Sequence, residues 1–209
     1  TRFIQLVYDD DYDMNKNLTN DIEFIYGPPG TGKTTRLVKM VSDILKLTKE
    51  KVSILVLTPT NKAADVVAEK MSRDSVCYNH LTRFGATESL YLIEDVAVVT
   101  NRDTFDITNL QKNVVVTTAA RYAYDYIQPD ETFLCDYNWD YIIIDEASMV
   151  DIVTCTYILY KGTPAKFIIS GDPKQIPPVT LNDMPEYNIY DMVGLNDFSE
   201  AVNNYTRYN

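Results

Sequence analysis

Basic charge, histidine, cysteine and long apolar runs are all scarce in this sequence. Its 209 residues carry 19 Lys and Arg against 30 Asp and Glu, a formal net charge of -11. That balance excludes a chain whose whole surface grips nucleic acid electrostatically, but not one with a local basic groove. The single histidine, His80, reads as a packed or exposed residue and not as a ligand. Cys77, Cys135 and Cys155 are far apart with no CxxC spacing. Neither a disulfide framework nor a zinc site is expected, and a reducing, intracellular compartment is (cytoplasm, or nucleus in a eukaryote). No apolar run has the length of a membrane span, and no signal-peptide pattern opens the chain, so no membrane partner is expected. The chain starts at Thr1, which reads as an excised fragment or a processed form.

What is present is ordinary globular usage, 45% hydrophobic and 23% charged. The length fits one large domain, or one with a small insert. Residues 1–20 form an acidic lead-in around Asp9-Asp10-Asp11-Tyr12-Asp13, with a short strand possible at 3–7. Residues 21–200 read as the folded domain, with 75–113 as the place for a small insert, and 201–209 as a polar tail.

The most informative stretch is Gly27-Pro28-Pro29-Gly30-Thr31-Gly32-Lys33-Thr34. An apolar run at 22–26 precedes it, and a helical pattern with Leu37, Met40, Val41, Ile44 and Leu45 on one face follows over 33–47. Strand, glycine loop and helix is the order that a phosphate-binding loop needs. Gly30 and Gly32 allow the backbone to approach an anion, and the two prolines stiffen the entrance. Free amides at the helix start favour a phosphate, so Gly30, Thr31, Gly32, Lys33, Thr34 and Thr35 are the expected nucleotide-binding residues. Lys33 is placed to reach the β- and γ-phosphates, and the Thr34 hydroxyl to coordinate Mg²⁺.

Further strands are expected at 52–57, 114–118, 141–144 and 166–170, with helices at 61–71, 119–126 and 149–160 between them. Thr60 or Asn61 caps the helix at 61. Val76-Cys77-Tyr78 reads as a short strand, 90–99 mixes helix and strand signals, 128–139 reads as a loop, and 187–195 as a helix. Strands alternating with helices predict a parallel α/β sheet. The polar motifs lie just past strand carboxyl ends, where such sheets bind ligands. Asp145, at the tip of a buried strand, is placed to hold Mg²⁺ beside Thr34. Glu146 is placed to orient and deprotonate an attacking water. Gln175, in Gly171-Asp172-Pro173-Lys174-Gln175, is placed to touch a γ-phosphate or that water.

Together GPPGTGKT at 27–34, TPTNKAA at 58–64, DEAS at 145–148 and GDPKQIPPV at 171–179 resemble motifs I, Ia, II and III of superfamily 1 helicases. The first and last are similar to the branch with the nonsense-mediated-decay RNA helicase and the DNA-replication helicase-nucleases. DEASMVD at 145–151 is similar to the RecD type. Both belong to a group that generally moves 5′→3′. The resemblance implies an α/β RecA-like P-loop domain, mostly parallel and sandwiched by helices, the first of two. It implies ATP and Mg²⁺ as cofactors and single-stranded DNA or RNA as partner. Lys33, Glu146 and Gln175 would be catalytic or coupling residues, and Thr34 and Asp145 would hold the metal. Pro59, Thr60 and Asn61 would touch the nucleic-acid backbone, with Thr117 or Thr118 (preferably Thr118) as a second contact. Thr82-Arg83-Phe84-Gly85 is similar to a further family segment.

Two departures stand out. The glutamine that reads adenine has no counterpart at its expected place, which holds Asp9–Asp13, while Gln5 is too early. Motifs IV to VI are absent, so a second RecA-like domain with its arginine finger is expected outside this chain. Such a finger is worth about 10³ or more in rate, so slow hydrolysis is expected of this stretch alone. The alternative is a non-helicase P-loop ATPase such as the AAA+ type, or a nucleotide-binding interaction module. An AAA+ strand after the acid pair usually ends in a polar sensor such as Asn, whereas here it ends in Ser170-Gly171-Asp172.

Overall fold

A computed structural model describes residues 22–127, 131–175 and 187–195. The acidic lead-in, the 3–7 strand, most of the proline-rich segment after Gln175 and the polar tail lie outside these residues.

Among the described residues, seven strands form the main sheet: β1 (Ile22–Tyr26), β2 (Val52–Thr58), β3 (Leu81–Phe84), β4 (Ala97–Val99), β5 (Lys112–Thr118), β8 (Tyr141–Ile144) and β9 (Lys166–Gly171). Their order is β1-β9-β8-β2-β5-β3-β4, and every neighbouring pair is parallel. A small antiparallel pair, β6 (Tyr126–Ile127) with β7 (Thr132–Phe133), stands apart. The helices are α1 (Lys33–Leu47), α2 (Asn61–Ser72), α3 (Ser75–Tyr78), α4 (Leu90–Asp95), α5 (Ile152–Gly162) and α6 (Ile189–Val193).

Helices cover both faces of the sheet, and the strand sequences show why. Along β2, Ile54 and Val56 enter one core while Leu55 and Leu57 enter the other. The same alternation sends Ile143 and Ile168 one way and Ile142, Ile144, Phe167 and Ile169 the other. A strand with two covered faces must be apolar throughout, which is why β2 and β8 read as continuous runs. On one face α1 contributes Leu37, Val38, Val41 and Leu45. Each such side chain stabilises the fold by about 1.5–3 kcal/mol when fully buried. On the other face α5 contributes Cys155, Ile158 and Leu159, and α6 contributes Ile189 and Tyr190.

The mostly parallel α/β RecA-like class expected from the sequence is the class observed. Short elements differ. Val76–Tyr78 is not a strand but part of α3, because Asp74 caps it: its Oδ1 accepts from Val76 N and Cys77 N, both at 3.0 Å. The helix expected over 119–126 is a single 3-10 turn, Ala119–Arg121, after which the chain enters β6. β7 lies inside the expected 128–139 loop, and the Asp125 carbonyl accepts from Leu134 N at 2.8 Å to hold that excursion to the fold. The helix expected from 149 begins at Ile152, where Asp151 accepts from Thr154 N at 2.8 Å as its cap. The mixed 90–99 stretch resolves into α4 and β4. The 75–113 segment supplies α3, β3, α4 and β4, and its two strands join the main sheet.

Candidate nucleotide site and adjoining groove

The carboxyl ends of β1, β2, β5, β8 and β9 share one edge of the sheet because the strands are parallel. β9 separates β1 from β8, so the loop after β1 and the acids after β8 are two strand spacings apart, about 10 Å. That gap suits a group bridging both.

The loop after β1 is an anion cradle. Gly30 and Gly32 have φ of 77° and 87°, and a Cβ built on either would meet nothing within 4 Å. Only glycine takes this backbone without strain, and both positions face open space. α1 starts at Lys33 with no side-chain cap, so its first amides remain available to an anion. Lys33 Nζ donates to the Gly27 carbonyl at 2.7 Å and the Pro28 carbonyl at 3.0 Å, which holds the ammonium at the loop. Thr31 Oγ1 donates to the Pro28 carbonyl at 2.7 Å. Thr35 is exposed.

Thr34, Asp145, Glu146 and Gln175 meet in one cleft of about 460 Å³, walled also by Thr60, by Lys62 and Val66 of α2, and by Met149. Asp145 is 2% exposed, and among the described residues neither its Oδ1 nor Glu146 Oε2 has a hydrogen-bond partner. Burial pushes the Asp145 carboxyl above its usual range, opposed by the Ser170 hydroxyl, the Glu146 amide and Lys33. Glu146 is raised by burial first and then by the charge of Asp145. Its backbone sits at φ 52°, ψ 40°, a left-handed conformation that costs a residue with a Cβ of order 1–3 kcal/mol. Orphaned buried oxygens and strain on adjacent acids mark a site where stability is given up for another end. Among the described residues, no cluster of three or more His, Cys, Asp or Glu is arranged to hold a metal alone. One acid and one hydroxyl fit a cation that takes its other ligands from a phosphate.

A groove of about 640 Å³ adjoins this cleft. It is lined by Thr60, Asn61, Lys62, Asp65, Glu69 and the 86–89 loop. Thr60, Lys62 and Val66 wall both spaces. Of the two alternative caps, Thr60 is the one used: its Oγ1 accepts from Ala63 N at 3.1 Å. Of the expected nucleic-acid contacts, Thr60 and Asn61 line the groove, whereas Pro59 and Thr118 line neither space, and Thr118 is 7% exposed.

Three residues near these spaces carry more than the sequence reading gave them. Tyr190 is fully buried behind the acids. A Cβ on Gly171 would come within 3.0 Å of its hydroxyl and 3.1 Å of the Ala147 amide. Burial, then the charge of Asp145, raises the Tyr190 phenol above its usual range. Asp172 Oδ1 accepts from Lys174 N at 3.0 Å, which shapes the turn that delivers Gln175. Arg83 is a fully buried cation. Tyr190 had no signal in the string beyond a helical stretch, whereas Arg83 lay in a segment already singled out.

The AAA domain family matches residues 12–181. The subunit RecD of the RecBCD enzyme from Buchnera aphidicola (subspecies Schizaphis graminum) is 28% identical over 171 residues, covering 81% of this chain and 25% of RecD. An uncharacterised Methanocaldococcus jannaschii protein is 33% identical over 176 residues, covering 83% of this chain and 13% of its own length. The DNA replication ATP-dependent helicase/nuclease dna2 of Schizosaccharomyces pombe is 29% identical over 163 residues, covering 76% and 11%. The chain belongs to the AAA domain family and is a superfamily 1 helicase motor domain of the RecD and Dna2 type. The family description is broad, but the relatives with assigned names favour the helicase branch over a non-helicase ATPase. The chain spans a quarter or less of the length of these relatives. No described helix is long and apolar enough to cross a membrane.

Proposed function

We propose that this chain is the first motor domain of an intracellular helicase or translocase. It binds ATP with Mg²⁺ and hydrolyses it to drive movement on single-stranded DNA or RNA, in the 5′→3′ sense, when joined to a second RecA-like domain. The observation that carries this reading is the convergence of Thr34, Asp145, Glu146 and Gln175 on one cleft, with buried oxygens of Asp145 and Glu146 left unpaired among the described residues.

The roles follow from chemistry. Amides from Gly30 to Thr35 and the Lys33 ammonium bind and orient the β- and γ-phosphates. Thr34 and Asp145 would hold Mg²⁺, which supplies charge neutralisation on the phosphate oxygens. Glu146 accepts a proton from the water that adds to the γ-phosphorus as the bond to the bridging oxygen breaks. Its raised pKa brings it closer to neutral operating pH than an ordinary carboxylate. Gln175 touches the γ-phosphate or that water, and so carries nucleotide state toward the second domain. Thr60 and Asn61 bind the strand backbone in the groove, which Pro59 and Thr118 do not line.

The test is Glu146→Gln in the full-length protein. Nucleotide still binds, measured with a fluorescent ATP analogue, while steady-state phosphate release drops by about 10²-fold or more. Undiminished release would refute the base assignment.

A further inference from the structure

Arg83, the third residue of β3, lies inside the protein with a side chain that is 0% exposed. A buried guanidinium is costly unless its donors are met, and here they are met by an unusual set of partners. Nε donates to Asp65 Oδ1 at 2.8 Å and Nη1 to the Phe84 carbonyl at 2.5 Å. Nη2 donates to the Ala86 carbonyl at 2.9 Å, to Asn61 Oδ1 at 3.2 Å and, at 3.4 Å, to the Asn61 carbonyl. Burial works against the charge, and the Asp65 carboxylate offsets it. One side chain therefore joins the first turn of α2, the end of β3 and the loop at Ala86.

The chemistry of the Asn61 contact is directional. A guanidinium has donors only, so it takes the oxygen end of the Asn61 amide. The same contact fixes the amide plane and turns Nδ2 away from Arg83. Asn61 is exposed and lines the groove beside Thr60 and Lys62. Of the three acids on that groove, Asp65 is paired with Arg83, and Glu69 accepts from Ser89 Oγ at 2.6 Å, which leaves Glu88.

We infer that Arg83 is a positioning residue for strand binding: it clamps the Asn61 oxygen so that Nδ2 is presented to the groove as a fixed hydrogen-bond donor to a nucleic-acid backbone oxygen. This rests on the nucleic-acid reading of the groove. A role confined to holding β3 against α2 would require Asp65 and the carbonyl contacts alone. It would leave the Asn61 amide without consequence.

The test uses the full-length protein with fluorescein-labelled oligothymidylate and oligouridylate, read by anisotropy, beside a fluorescent ATP analogue and a thermal melt. Asn61→Asp keeps an oxygen for Arg83 but has no donor. It melts no lower than the wild type and binds the oligonucleotide about tenfold or more weakly. Arg83→Lys keeps the charge for Asp65 but lacks the fork that reaches Asn61. It weakens oligonucleotide binding about as much as Asn61→Ala does and adds little on top of Asn61→Ala, while the affinity for the ATP analogue stays unchanged. Wild-type binding by Asn61→Asp would overturn the inference, as would fully multiplicative losses in the double variant or a lowered melt in Arg83→Lys with intact binding. If Arg83→Lys does not fold, Asn61→Ala decides alone: it removes the donor without adding a carboxylate to the groove, and wild-type binding by it overturns the inference. A wild-type protein that binds neither oligonucleotide refutes the reading of the groove itself.

Discussion

Two aspartates bracket β8 and behave as opposites. Asp140 lies just before its amino end. Its Oδ2 accepts from Ser53 N at 2.8 Å and Ser53 Oγ at 2.9 Å, and its own amide donates to Ser53 O at 3.1 Å. Asp145 follows the carboxyl end, more deeply buried, with an oxygen that has no partner among the described residues. The strand is four residues long, and the same residue type at its two ends does two jobs. At one end the sheet is tied to its neighbour by a satisfied network. At the other, polar groups are kept short of partners at a cost in stability, as expected where a charged ligand is to be met.

This contrast breaks cleanly under mutation. The largest effect is expected from Asp145→Asn. It abolishes Mg²⁺-dependent phosphate release, down at least about 10²-fold in the full-length protein, because the carboxylate proposed to hold the metal becomes an amide. The same variant melts at or above the wild-type temperature, since a neutral group replaces a carboxylate disfavoured by burial. A lower melting temperature would show that Asp145 supports the fold after all. Asp140→Asn should do the reverse. It loses about 1–3 kcal/mol in chemical denaturation by leaving Ser53 donors poorly matched, while the ATP-analogue affinity of the folded protein holds. Loss of that affinity would erase the distinction between the two ends.

The smallest effect concerns a third aspartate, away from both. Asp74 caps α3 and accepts from Ser42 Oγ at 3.1 Å, and the Cys77 amide leads the contacts that hold its carboxyl below the usual 3.8. A carboxyl depressed in the folded state stabilises the protein above its unfolded pKa and loses that contribution as pH falls through the folded value. Asp74→Ala therefore costs about 1 kcal/mol near neutral pH, and the difference from wild type shrinks in acid melts below pH 3.8. A gap that stays constant on acidification would remove the charge from the explanation.

Much of this was legible in the string where patterns are long or chemically unusual. The bounds of β1, α1 and β8 follow from apolar runs cut off by a glycine loop or an acid pair, and the cleft residues stand at strand ends that topology alone brings together. The short pieces were not legible. A four-residue helix such as α3 depends on the single cap at Asp74, which outweighs the β-propensity of Val76 and Tyr78. The turn at Ala119–Arg121 gives way to β6, which pairs antiparallel with β7, and that pairing lies beyond the window from which a helix is read. The left-handed backbone at Glu146 has no residue signature, since glycine would be the ordinary occupant. Arg83 owes its meaning to Asn61 and Asp65, on another element and distant in sequence.

The first turn of α2 and its cap have a thermodynamic consequence. Thr60 and Lys62 are a party wall between the cleft and the groove. A wall shared by two occupants cannot be moved by one without the other registering it. If a strand in the groove shifts that turn, nucleotide affinity changes by some factor. Linkage then requires nucleotide in the cleft to change strand affinity by the same factor. The two binding curves would be one measurement taken from either side.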